Sequence, residues 1–145
     1  LLTEIAAKEA VHNAGITDIN SCRTGFISAT SVGGMDLTEK YYHSQFEEIK
    51  NRKYIDSHSA GDSSTKVANS LGISDFVSTI STACSSAANS IMLGARMIKA
   101  GKLDRVTVGG ADCMSKFTIN GFKTLMILSE TDCRPFDANR TGLNL

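Results

Sequence analysis

The segment "DFVSTISTACSSAANSIMLGARMIKAGKLDRVTVGGAD", residues 75–112, decides the fold class of this 145-residue chain. Its opening "DFVSTIS" has the Phe, Val, Thr and Ile content of a buried β-strand. After Cys84, apolar residues recur at i, i+3 and i+4 spacing, which predicts an amphipathic helix that ends at Gly101. "RVTVGGA" (105–111) then predicts another strand. Strands separated by helices indicate a parallel sheet covered on its faces, so we predict an α/β layered fold.

The remainder of the chain continues this alternation of helices and strands. The predicted apolar face of the helix after Cys84 contains Ala87, Ala88, Ile91, Met92, Ala95 and Ile98. A first helix, which Gly15 would cap, has on one face Leu2, Ile5, Ala6, Ala10 and Val11. We further predict a strand at 23–30, a Gly-rich turn at 31–36, a helix at 37–49, a polar loop at 50–64, a short helix at 64–72, a helix at 117–128 and a loop around Pro135.

Composition places the chain among soluble globular domains. Hydrophobic residues make up 41% of it, charged residues make up 21%, and the formal net charge is zero. The sequence has no basic stripe with interleaved aromatic residues, which disfavours a nucleic-acid surface, and no apolar run long enough to span a bilayer. The opening "LLTEIAAKEA" lacks a basic n-region, so it does not predict a secretory signal. We therefore expect a cytoplasmic protein.

The cysteines are too scattered to predict a metal centre or a disulfide framework. Cys22, Cys84, Cys113 and Cys133 form no C-x-x-C pair and no cluster with histidine at metal-ligand spacing. We therefore expect reduced thiols, no metal and no cofactor.

Cys84 stands where the predicted strand gives way to the predicted helix, among residues with small side chains. A thiol at the first turn of a helix faces unpaired backbone N–H groups and the positive end of the helix dipole, which both favour the thiolate. The small neighbours leave room for a substrate, as in the strand–turn–helix elbow that presents nucleophiles in hydrolases. The same N–H groups suit the oxyanion of an attacked thioester. From this local pattern, an activated nucleophile and an inert core cysteine both remain open.

An ordered series of motifs resembles the active-site half of the β-ketoacyl synthases, the condensing enzymes of fatty-acid and polyketide synthesis. The series consists of "TACSSAANSIMLGARMIKAGKLDRVTVGGAD", "NGF", "ILS" and "RPFDANRTG". The resemblance extends over most of the chain from Arg23 onward and implies the layered α/β/α/β/α fold of the thiolase-like superfamily. It also implies that residues 1–145 are part of the N-terminal half of such a synthase, with the family's first strand and its whole C-terminal half outside the chain.

The resemblance implies roles for particular residues. Cys84 would accept an acyl group from acyl carrier protein as a thioester, and its backbone N–H would form half of the oxyanion hole. The acyl group would then pass to the carbanion formed when malonyl-carrier protein loses carbon dioxide. Val32 in "TSVGGM" and Phe122 in "NGF" would line the acyl pocket. Arg52 and Lys53 in "NRKYI" would meet an acidic helix of the carrier protein, although a solvated loop suits this pair equally well.

The family's mechanism also needs two histidines and a lysine from its C-terminal half. His12, His43 and His58 follow none of the family's histidine motifs, so we expect all three on the surface. The family further implies that the strand ending at Ile80 pairs with its own copy across a two-fold axis, giving a homodimer.

Other functions remain open at this point. A non-catalytic partner subunit of the chain-length-factor type would share the fold, but such partners generally lack the cysteine that stands here at position 84. A cysteine acyltransferase or hydrolase using the same elbow would need a nearby histidine. A nucleotide-binding module is disfavoured, because "SVGGMD" and "TVGGAD" match neither G-x-G-x-x-G nor the P-loop pattern.

Overall fold

A computed structural model of the protein describes residues 2–44 and 54–145 and divides the chain into two compact units. The first unit runs through Cys113, and the second comprises Met114–Leu145. The first unit contains, in chain order, α1 (Leu2–Asn13), β1 (Thr24–Ala29), α2 (Met35–Ser44), a short 3-10 helix (Asp56–His58), α3 (Ala60–Leu71), β2 (Phe76–Ile80), α4 (Ser86–Lys99) and β3 (Arg105–Gly110). The second unit contains α5 (Lys116–Thr124).

The three strands form one parallel sheet in the order β2–β1–β3. Phe26 of β1 lies opposite Val77 of β2 and Thr107 of β3. All six residues of β1 are buried, because this strand has a neighbour on each side and helices on both faces of the sheet. The predicted α/β class with a parallel sheet is therefore confirmed.

Helices cover the two faces of this sheet in different ways. On one face, α1 and α3 pack over an apolar cluster that contains Ala7, Phe26, Val67, Ala68 and Ile73. On the other face, α4 packs so closely that Gly94 lies against the side chains of Val106 and Val108 in β3.

The residues that α4 buries differ from those that the sequence pattern predicted. The helix and its end near Gly101 are confirmed, but the buried residues are Ser86, Ser90 and Gly94, at i, i+4 and i+8. The large side chains of the predicted apolar face are exposed, and Ile91 at its centre is 59% exposed. Small side chains let the helix axis approach the strands closely, which explains why this stripe, rather than the apolar one, meets the sheet.

The same correction applies to α1. Its bounds and the left-handed Gly15 after it agree with the prediction, but Leu2 and Ile5 of the predicted apolar face are exposed, and Ala7 is the buried residue. A small residue is again the buried one, here Ala7 in the cluster around Phe26.

Several boundaries of helices also differ from the predicted ones. The predicted loop at 50–64 instead contains the 3-10 helix and the start of α3, while the predicted closure of α3 by Gly72 is confirmed by its left-handed backbone. Helix α2 begins two residues before the predicted start, and the predicted part beyond residue 44 lies outside the described residues. Helix α5 ends at Thr124, short of the predicted residue 128. The segment around Pro135 is loop, as predicted.

The two outer strands are less buried than β1. The predicted strand at 75–81 is confirmed as β2, but Val77 is exposed and its neighbours are half-buried, because β2 lies at an edge of the sheet. Within the described residues, no helix combines the length and the apolar character that crossing a bilayer requires.

Gly94→Ala tests the close packing of α4 on β3. A Cβ at position 94 would lie 2.8 Å from Val106 Cγ1 and 2.9 Å from Val108 Cγ1, and these β-branched side chains are stiff. Alanine is the better helix former by about 1 kcal/mol, but overpacking a core costs about 1–3 kcal/mol. We therefore expect a lower free energy of unfolding for the full-length variant in urea titrations.

Gly121→Ala is the matched control, because it makes the same substitution in α5 at a position with no atom within 4 Å of the added Cβ. This variant should gain up to about 1 kcal/mol from helix propensity alone. A Gly94→Ala protein as stable as the control variant would contradict the close packing of α4.

Candidate active site

Cys84 lies in the sharp turn that joins the end of β2 to the start of α4, and it is exposed. The predicted strand–turn–helix elbow is therefore present. Helix α4 begins at Ser86 and Ser85 is its cap, so Cys84 stands one residue before the cap rather than within the first helical turn, where we predicted it. Ala83, immediately before the cysteine, has a left-handed backbone with φ of 52°. This conformation costs a residue with a Cβ about 1–2 kcal/mol.

Three hydrogen bonds hold the carbonyl of Ala83 in this elbow. It accepts hydrogen bonds from the Ser86 hydroxyl at 2.6 Å, from the Ser86 N–H at 3.0 Å and from the Ser31 hydroxyl at 3.1 Å. The Ser86 hydroxyl also accepts the N–H of Thr82 at 2.8 Å, and Ser86 is only 5% exposed. These bonds offset the cost of the left-handed turn and fix the backbone on both sides of the cysteine.

A cleft of about 220 Å³ opens beside the elbow at the carboxyl ends of the strands. Most of its walls consist of small side chains, and its lining residues are Ala29, Thr30, Ser31, Ala83, Cys84, Ser86, Ala87, Gly110, Ala111 and Asp112. Gly110 is needed in the floor, because a Cβ there would lie 3.0 Å from the Cβ of Ala29 and 3.4 Å from that of Ala87. The thiol of Cys84 is thus the one nucleophilic sulfur that lines this cleft.

Asp112 holds the loop that follows β1. Its Oδ1 accepts hydrogen bonds from the Thr30 hydroxyl at 2.6 Å, the Ser31 N–H at 2.6 Å and the Val32 N–H at 3.3 Å. Partial burial pushes the pKa of this carboxyl up, but the hydrogen bonds from the Thr30 hydroxyl, from the two backbone amides and from the Ser31 side chain outweigh burial and hold the pKa below its ordinary value. The loop is therefore anchored on a carboxylate that stays charged at neutral pH.

Steric constraints favour glycine at two positions of the Gly-rich turn after β1. Gly33 has a left-handed backbone with φ of 55°, and its N–H donates to the Thr30 hydroxyl at 3.0 Å. A Cβ on Gly34 would overlap the backbone carbonyl of Ser57, so the chain passes the 3-10 helix only because this residue has no side chain.

The other predicted site residues do not line this cleft, or they lie outside the described residues. Val32 is half-buried in the turn after β1 and is not among the residues that line the cleft. Phe122 is half-buried on α5 in the second unit. Arg52 and Lys53 lie outside the described residues. The roles predicted for these four residues stay predictions.

The histidines and the other thiols supply no further chemistry to the cleft. His12, His43 and His58 are exposed, as expected, and the Nδ1 of His58 lies 3.0 Å from the Thr38 hydroxyl. Among the described residues, no three His, Cys, Asp or Glu side chains are grouped so that they would hold a metal ion. Cys113 is half-buried, its thiol donates to the Gly33 carbonyl at 3.4 Å, and burial raises its pKa, which makes it a structural thiol.

Sequence reasoning missed the residues that build the elbow. Ser31 and Asp112 lie 81 positions apart in the chain, and only the fold brings them together. One sequence signal was available for the carboxylate, because Asp112 ends "TVGGAD" directly after a strand, and the ends of parallel strands meet at one edge of the sheet.

Ser86→Ala tests how the elbow is held. The substitution removes the hydroxyl that bridges the Thr82 N–H and the Ala83 carbonyl, leaving the part-buried Thr82 amide without this acceptor. We expect the free energy of unfolding to fall by about 1–3 kcal/mol, measured by urea titration of the full-length protein. The control is Ser63→Ala on the exposed side of α3, which should change stability by less than about 0.5 kcal/mol. Equal stabilities for the two variants would contradict a bridging role for Ser86.

Comparison with known proteins places the chain in one family. The family model "Beta-ketoacyl synthase, N-terminal domain" matches residues 1–145. Nodulation protein E of Rhizobium meliloti (strain 1021) is 32% identical over 151 residues, which cover 100% of this chain and 38% of the relative. The 3-oxoacyl-[acyl-carrier-protein] synthase 2 of Staphylococcus aureus (strain N315) is 29% identical over 150 residues, which cover 95% of this chain and 36% of that protein.

A solved structure gives the same result. The solved complex of a ketosynthase with its chain length factor from Xenorhabdus doucetiae contains a chain that superposes with a TM-score of 0.77 at 32% identity, covering 95% of this chain and 36% of that one. The chain thus spans less than two-fifths of the length of the proteins that it matches.

Proposed function

The chain belongs to the β-ketoacyl synthase family, as part of its N-terminal domain, and on this premise we propose that Cys84 is the acyl-accepting nucleophile of a condensing enzyme. The observation that carries the proposal is the exposed thiol in a strand–turn–helix elbow, facing a cleft with walls of small side chains. We further propose that these 145 residues form the nucleophile-bearing part of a longer synthase, because the relatives are more than twice as long.

The proposed reaction has two steps. In the first, the Cys84 thiolate attacks the thioester carbonyl of an acyl carrier protein; a tetrahedral oxyanion forms, and its collapse expels the thiolate of the carrier and leaves the acyl group on Sγ. In the second, a malonyl-loaded carrier loses carbon dioxide, the resulting carbanion attacks the acyl carbonyl, a carbon–carbon bond forms, and the Cys84 thiolate leaves. The Cys84 backbone N–H would supply one of the two donors to the oxyanion.

The name of one relative supports a carrier protein as the partner of this chain. The Staphylococcus aureus relative is named for an acyl carrier protein, and we propose the same class of partner for this chain. Arg52 and Lys53 would contact its acidic surface, and Val32 and Phe122 would line the acyl pocket. The proposed enzyme works in the cytoplasm, without a metal or a cofactor.

A second candidate is a chain-length-factor-like partner subunit, since the Xenorhabdus doucetiae ketosynthase was solved with such a partner. Cys84 at the elbow favours the catalytic subunit, because a partner that performs no acyl transfer has no use for an accessible thiol there. A cysteine hydrolase that uses the same elbow is a third candidate, and it would also need a histidine beside the thiol.

Peptide mapping by mass spectrometry tests the nucleophile. The full-length protein, incubated with acyl-loaded carrier protein, should gain the mass of one acyl group on the peptide that contains Cys84. Cys84→Ala should abolish this transfer, since no other thiol lines the cleft. Cys133→Ala is the matched control, because Cys133 is also exposed but lies in the second unit, and it should leave acylation unchanged.

Acylation of Cys133, or an equal distribution of acyl groups over the four cysteines, would contradict the role of Cys84. A Cys84-acylated protein that forms no condensation product with malonyl-loaded carrier would instead support the simple acyltransferase.

We also propose that β2 forms the interface of a homodimer. The Thr30 N–H donates to the Ile80 carbonyl, so the backbone groups of Ile80 point toward β1. Because these groups alternate in direction along a strand, the N–H and C=O groups of Val77 and Thr79 point the other way, toward the edge of the described sheet that lacks a neighbouring strand. Backbone N–H and C=O groups left unpaired at such an edge are a template for pairing with the same strand of a second copy.

Val77→Pro tests the interface with little effect on the β1–β2 ladder, because it removes an N–H that points outward. Analytical ultracentrifugation of the full-length protein should show a dimer for the natural sequence and for Val77→Thr, which keeps the N–H and a β-branched side chain. Val77→Pro should sediment as a monomer at the same concentration. A dimer that persists in Val77→Pro would place the interface elsewhere.

A further inference from the structure

Two side chains outside the elbow control its shape through a continuous chain of hydrogen bonds. We propose that Asp112 and Ser31 are positioning residues for Cys84: the carboxylate fixes the loop after β1, and the serine hydroxyl of that loop holds the Ala83 carbonyl in its left-handed turn. This inference deepens the proposed function, because it rests on Cys84 being the acyl acceptor.

The direction of each bond in this chain is fixed by chemistry. A carboxylate only accepts hydrogen bonds, so the Thr30 hydroxyl must donate to Asp112, and its lone pair is then left to accept the N–H of Gly33. The backbone N–H groups of Ser31 and Val32 point at the same carboxylate oxygen. Four consecutive residues are therefore ordered around one charge.

With its N–H on Asp112, Ser31 has its hydroxyl aimed at the elbow. That hydroxyl donates to the Ala83 carbonyl at 3.1 Å, across 52 positions of sequence. The other two donors to the same carbonyl both come from Ser86, which belongs to α4 and follows the cysteine by two positions. Ser31 therefore supplies the bond that ties the elbow to the loop after β1 rather than to its own helix.

The left-handed turn needs this tie because it is intrinsically unfavourable. Without Ser31, the Ala83 peptide is held only by local bonds from Ser86, and it can rotate toward the right-handed region that alanine prefers. Rotation of that peptide would change the direction of the Cys84 N–H and the position of Cys84 relative to the cleft that it lines. Asp112, Ser31 and Ala83, which link the carboxylate to the elbow, all line the cleft.

Alkylation kinetics separate positioning from acyl transfer. The rate constants for iodoacetamide with Cys84 and with exposed Cys133 are measured by mass spectrometry on the same full-length protein, so Cys133 serves as an internal reference. Ser31→Ala and Asp112→Ala should lower the ratio of the Cys84 rate to the Cys133 rate about tenfold, which corresponds to ~1.4 kcal/mol. Ser31→Thr, which keeps a hydroxyl, should restore the ratio of the natural protein.

Asp104→Ala is the matched control for a general loss of stability. Asp104 is a second carboxylate with a lowered pKa, held by the side-chain and backbone bonds of Arg23, but it precedes β3 whereas Asp112 follows it. Asp104→Ala should leave the ratio unchanged.

The possible results distinguish the two proposals. Unchanged ratios in Ser31→Ala and Asp112→Ala would overturn the positioning role, and so would an equal fall in Asp104→Ala. If the natural protein fails to accept an acyl group on Cys84 while these ratios fall as expected, the positioning role stands and the proposed function is the part that fails.

Discussion

A single backbone carbonyl, that of Ala83, is the point on which the arrangement of the site depends. Three donors converge on it, and together they hold an alanine in a left-handed conformation that this residue avoids. Because of that turn, the chain leaves β2, presents Cys84 and enters α4 within five residues. The sheet, the helix and the loop after β1 all meet at this position.

The packing of α4 provides the rigid support for that turn. Ser90 is completely buried, and Gly94 leaves no room for a methyl group against β3, so the helix is fixed in depth relative to the sheet. The first residue of the same buried stripe is Ser86, whose hydroxyl belongs to the elbow. One row of small residues thus sets the position of the helix and also supplies two of the three bonds to the Ala83 carbonyl.

Much of the fold followed from the sequence, because it depends on local composition. β-branched residues predicted the strands, left-handed glycines marked the ends of α1 and α3, and the alternation of elements predicted a parallel sheet. The apolar periodicity predicted helix α4 but did not indicate which residues meet the sheet, because close packing here favours the small residues Ser86, Ser90 and Gly94. The start of α3 was missed because its first residues, rich in Ser, Gly and Asp, have the composition of a loop.

In the candidate site, too, only residues that are close in sequence could be predicted. Cys84 was predicted because its neighbours in sequence are also its neighbours in the elbow. Asp112 and Ser31 were not, because their roles arise from bonds between residues that are 81 and 52 positions apart. A hydrogen bond between residues so far apart produces no pattern that can be recognised in a single sequence.

We propose that the elbow presents Cys84 to an acyl group inside the cleft beside it. The most direct measurement is a crystal structure of the full-length protein after reaction with an acyl-loaded carrier. The account predicts continuous electron density from Cys84 Sγ to an acyl carbonyl in that cleft, with Ala83 still left-handed. An unmodified Cys84, or an acyl group on another cysteine, would contradict it.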